Sequence, residues 1–177
     1  MAYHRNTLIA ELRERGITYL SPGDAVATEP FASDEDLIIA LLEQPDSRLH
    51  LALVPLFIRR PDLAQIVPSL VSQLSAESAL TLQTLYMAAV YLQRLWRTRL
   101  SYYLPDLTLL PDLYAGHLNL PLANDRFGKA GLHALAAAWT ARSSYPFNRL
   151  ASLNRVIDLF FEQLKLEAST DEHAPGR

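Results

Sequence analysis

Nowhere in this chain do apolar and polar residues alternate long enough to make a half-buried strand; apolar residues recur instead at three- and four-residue spacing. That feature confines the chain to the all-α class. Eleven prolines then limit how far each helix runs, because proline has no N–H to donate and clashes with the preceding turn. Period and breakers together predict an irregular bundle of about seven helices.

The first helix is expected from His4 to Arg15, with Leu8, Ile9 and Leu12 as its apolar stripe and Gly16 as its stop. A turn at Ser21-Pro22-Gly23-Asp24 and a loop over Ala25–Ala32 follow. Ser33 caps a second helix that carries Asp34, Glu35 and Asp36 in its first turn, where carboxylates meet the positive end of the dipole. A third helix spans Arg48–Ile58, and a fourth runs from Pro61 to Leu74 with a kink at Pro68. Ser75 caps the longest, which extends towards Leu104 and is apolar on nearly all sides in its first half, the mark of a central helix. Asn124 caps a sixth over Asp125–Arg142, and the seventh ends near Leu166. Residues 1–167 then form one helical domain and 168–177 a disordered tail.

Composition excludes several classes. A formal charge of −3 lacks the basic excess of a domain that holds nucleic acid by bulk electrostatics. With no cysteine there is no disulfide, thiolate metal site or cysteine nucleophile. The five histidines, His4, His50, His117, His133 and His173, never pair at helical spacing, so no metal site is expected. No glycine-rich loop cradles a phosphate, so no cofactor is expected either. The uncharged stretches Leu63–Ala76 and Ser78–Gln93 contain polar residues and fall short of the ~20 apolar residues of a membrane span. The charged N-terminus has no leader-like core, so a cytoplasmic protein is expected. The preference for arginine over lysine, with abundant Leu, Ala and Pro, suits the codon bias of a GC-rich genome.

Three constellations carry chemistry. Spacings of three and four place Arg126, Lys129 and His133 on one face of the sixth helix. Arg94, Arg97 and Arg99, followed by Tyr102 and Tyr103, form a basic and aromatic helix end of the kind that touches nucleic acid. The third is the segment Tyr103–Leu122, with its echo Leu104-Pro105-Asp106-Leu107 and Leu110-Pro111-Asp112-Leu113. It is leucine-rich but has neither helical nor strand period. Such a stretch either folds back over its own bundle or docks on another protein, because exposed it would leave a large apolar patch. In the docking reading the contacts are Leu107, Leu109, Leu110, Leu113 and Tyr114, with Arg94 and Arg97 at the rim.

Three resemblances bear on these readings. Residues 37–63, LIIALLEQPDSRLHLALVPLFIRRPDL, resemble one unit of a HEAT-type helical repeat. No second copy is in register, so a single hairpin inside a bundle is expected. The spacing of Arg126 and His133 resembles the Arg-x4-6-His motif of the HEPN helical ribonucleases, although Phe127 stands where that motif carries a polar residue. This resemblance implies a metal-independent ribonuclease in which His133 moves protons and Arg126 holds a phosphate. The stretch RFGKAGLHALAAAWTARSSYPFNRLASLNRVIDLFF, residues 126–161, resembles uncharacterised bacterial all-helical proteins often encoded beside minimal nucleotidyltransferases. Its motif is Phe127-Gly128, an Ala/Leu helix and Tyr145-Pro146. What it implies is a partner: a regulatory protein bound to a small nucleotidyltransferase, within a toxin–antitoxin or defence module. A protein-binding role is therefore the leading expectation, ahead of the ribonuclease and of a regulator that touches nucleic acid.

Overall fold

The computed structural model describes residues 3–21, 31, 33–145 and 147–173. Most of the expected Ser21–Ala32 turn and loop, and the expected tail beyond His173, lie outside the described residues. Among the described residues there are nine α-helices, two short 3-10 turns and no strand. The helices are α1 (Arg5–Glu14), α2 (Asp34–Leu42), α3 (Ser47–Leu51), α4 (Leu53–Arg59), α5 (Val67–Gln73), α6 (Ala76–Leu95), α7 (Arg97–Tyr103), α8 (Lys129–Arg142) and α9 (Arg149–Glu172).

The count exceeds the expected seven because two expected helices are interrupted. Pro55 has no N–H for the Leu51 carbonyl, and α3 and α4 separate at Ala52. Trp96 leaves helical geometry (φ −107°, ψ 20°), and α7 turns away from α6 to lie on α9. The expected Pro61–Leu74 helix begins as a 3-10 turn, Pro61–Gln65, before α5. At the other end α9 reaches Glu172, so residues 168–172 are helical rather than tail. There the hydroxyls of Ser169 and Thr170 donate to the Lys165 and Leu166 carbonyls at 3.0 Å each, bonding within the helix instead of competing with it.

Helix starts follow the capping chemistry of the sequence. Ser33 Oγ accepts from the Asp36 N–H, and Ser75 Oγ from the Ser78 N–H. The acidic turn behind Ser33 is held as well, with Asp34 bridging Arg15 at 2.6 Å and Arg60 at 3.3 Å.

The core forms around α6, in which every residue from Leu82 to Gln93 is buried. Helices α4, α5 and α8 pack against it, and α9 lies across α4, α7 and α8. Contact with α8 is close enough to need glycine. A Cβ on Gly131 would lie 1.9 Å from the Tyr91 ring, and one on Gly128 2.4 Å from the Tyr91 carbonyl oxygen.

Candidate functional site

Between α7 and α8 the chain runs through twenty-odd residues with no ladder of its own, so its backbone groups need partners elsewhere. Some close turns within the segment, as the Leu118 and Leu120 N–H groups do on the Tyr114 and Ala115 carbonyls (2.8 Å each), and others find partners on one face of α6. The buried Gln93 amide donates to the Thr108 carbonyl (2.8 Å) and accepts from the Leu110 N–H (2.7 Å). The Arg94 guanidinium donates to the Leu110 carbonyl (2.8 Å) and to Asn124 Oδ1 (2.9 Å). The hydroxyls of Tyr86 and Tyr91 donate to the carbonyls of Pro111 and Pro121, both at 2.7 Å. Within the segment, Asp112 accepts from the N–H groups of Ala115 (3.0 Å) and Ala123 (2.9 Å). Four side chains of one helix thus strap an irregular segment to the bundle.

Burial leaves its electrostatic trace on these groups. The Tyr91 hydroxyl is pushed up to about 12, chiefly by desolvation and next by the Asp112 carboxylate. Tyr86 is raised for the same first reason, and desolvation lowers Arg94 despite the nearby Asp112.

The strap settles where the expected interface residues lie. Leu110 is fully buried and is a core side chain, whereas Leu107 and Tyr114 are half-buried and pack against the core with part of their surface still open. Leu109 is half-buried and Leu113 sits at the edge of exposure. The expected basic patch also divides. Arg94 is a clamp, and the Arg99 guanidinium lies 3.9 Å from the centroid of the Phe161 ring, leaving Arg97 exposed.

Helix α8 starts at Lys129, four residues later than Asn124 suggested. Arg126 is therefore not on that helix, and it does not share a helical face with Lys129 and His133. Instead Arg126 (φ 48°, ψ 42°), Phe127 (φ 56°, ψ 36°) and Gly128 (φ 85°, ψ −10°) take left-handed backbone one after another. For a non-glycine residue this costs roughly 1–2 kcal/mol. The conformation is held from both sides. The Asp125 N–H bonds the Leu122 carbonyl (3.0 Å) and the Phe127 N–H the Asn124 carbonyl (3.2 Å), while Gly128 is seated on Tyr91.

What this strained turn presents is apolar. Phe127 is 81% exposed and Leu122 71%. Phe127 also closes a cleft of about 280 Å³ with Leu109, Asn124, Arg94 and Arg97. Strain held by neighbouring structure is a mark of functional sites, and an exposed aromatic beside arginines has the composition of an interface hot spot. Sequence reasoning placed Leu109, Arg94 and Arg97 here but missed Leu122, Asn124 and Phe127. The signal was the run Asn124-Asp125-Arg126-Phe127-Gly128, whose turn-forming residues resemble a helix cap.

No family model, curated protein or solved structure matches the chain. Fold and site define an all-helical bundle with a strapped segment and a strained, exposed apolar turn. Among the described residues no group of acidic or histidine side chains is arranged to hold a metal, and no helix is long and apolar enough to cross a membrane.

Proposed function

We propose that the protein acts by binding another protein through the turn that carries Leu122 and Phe127, with Leu109 in the adjoining cleft and Arg97 and Arg126 at the rim. The observation that carries this reading is Phe127 itself, a large aromatic side chain held out into solvent on a backbone conformation that aromatic residues avoid. A purely structural role would favour glycine or asparagine there. The two arginines select a partner surface that is acidic around an apolar pocket. The Phe127-Gly128 pair also belongs to the motif that resembles the nucleotidyltransferase-associated proteins, which makes a minimal nucleotidyltransferase the first partner to try.

The test is capture of partners on tagged protein from its native cell, with wild type compared with the double variant Leu122→Asp, Phe127→Asp. Both side chains are exposed, so the variant keeps its helical circular dichroism. Loss of a stoichiometric partner supports the reading. An unchanged set of captured proteins refutes it.

A further inference from the structure

A second site lies apart from this turn and shares no residue with it. Along α9 two cavities meet at Tyr19 and Leu159, and their linings carry opposite charge. The larger, about 740 Å³, is walled by Glu162, Glu167 and Asp171, with Arg59 paired to Glu167 at 2.9 Å. The other, about 450 Å³, is lined by Arg5, Arg48 and Arg155 and, among the described residues, by no carboxylate.

These three arginines come from α1, α3 and α9, so tertiary folding rather than one helix face brings them together. Arg5 is paired with Asp46 at 3.1 Å. Asp46 also feels the Arg48 charge, so one carboxylate is shared by Arg5 and Arg48, and Arg155 has no ion-pair partner among the described residues; the three arginines keep a net two positive charges at one cavity. Ser21 and Ser152 add hydroxyl donors, while Leu51, Val156 and Leu159 add apolar wall. Tyr19 stands between the two cavities, with its hydroxyl buried and without a hydrogen-bond partner among the described residues.

We infer that this arginine-lined cavity binds a small phosphomonoester with an apolar or aromatic body. The net two positive charges left by three guanidinium groups and one carboxylate balance one dianionic phosphate, and planar guanidinium forks match its oxygens in pairs. The volume lies within the range of small-molecule sites, and the apolar wall is redundant for a bare inorganic ion. The neighbouring carboxylate-lined cavity repels the same ligand, which confines binding to one end of α9.

Phenyl phosphate is the probe, titrated calorimetrically into the full chain, with inorganic phosphate and phenol as controls. Phenyl phosphate binds more tightly than either control, and Arg155→Gln or Arg48→Gln weakens it roughly tenfold or more. Both arginines are exposed, so circular dichroism and melting of the unliganded variants stay as in the wild type. Absence of phenyl phosphate binding overturns the proposal, as does binding that both variants retain at full strength. Inorganic phosphate binding as tightly as phenyl phosphate overturns the assignment of an organic body.

Discussion

The strap from Leu104 to Leu113 and the turn from Leu122 to Gly128 are similarly apolar in sequence, yet they end in opposite conditions. In the strap, Leu110 is buried with both its backbone groups bonded to α6 side chains. In the turn, Leu122 and Phe127 face solvent on backbone that includes two left-handed non-glycine residues. Apolar content alone therefore does not separate a buried segment from an exposed one. What separates them is where each backbone N–H and C=O finds its partner, and whether the local conformation is relaxed or held against its preference.

The sharpest way to break this comparison is at the strap's anchor. Gln93→Ala strands the buried Leu110 N–H, at about 1–3 kcal/mol for a buried group, and removes the partner of the more accessible Thr108 carbonyl, so it should cost about 3 kcal/mol in urea unfolding. A loss below about 1 kcal/mol would mean that the strap floats. Leu110→Ala should cost about 3 kcal/mol as a core truncation, against less than about 0.5 kcal/mol for Leu122→Ala. Equal effects would erase the distinction between the two regions.

Tyr91→Phe, which removes the bond to Pro121, should cost about 1 kcal/mol at neutral pH. The same hydroxyl makes the fold alkali-sensitive. Its folded pKa is raised above the ordinary value of 10, so the stabilisation is fully present below pH 10 and is lost as pH rises towards about 12. Melting temperature followed from pH 9 to pH 12 should therefore fall less steeply in Tyr91→Phe than in the wild type. One further effect has the opposite sign. Phe127→Gly relieves left-handed strain and loses little packing, a gain of about 0.5–1 kcal/mol.

Much of this architecture is legible in the sequence where the signal is local. The three- and four-residue period predicts the helical class, Ser33 and Ser75 mark helix starts, and the all-round apolar run after Ser75 marks the central helix. The strap is illegible because its partners are polar tips on α6, up to thirty residues away in sequence. Gln93 and Arg94 look like ordinary helix residues, and Tyr86 and Tyr91 like plain core, until the carbonyls they bind are in view. The late start of α8 was hidden because Asn124 is a good cap residue whose side chain is taken by Arg94 instead. The arginine-lined cavity draws Arg5, Arg48 and Arg155 from three helices, and no spacing rule brings those together.

The most direct test of the claim that the turn is a contact surface held under strain is one variant measured two ways. Phe127→Gly is assayed for unfolding free energy and for partner capture from the same preparation. The account predicts a more stable protein that no longer retains its partner. A variant that still captures the partner at wild-type level would contradict it, and would return Phe127 to the ordinary exposed surface.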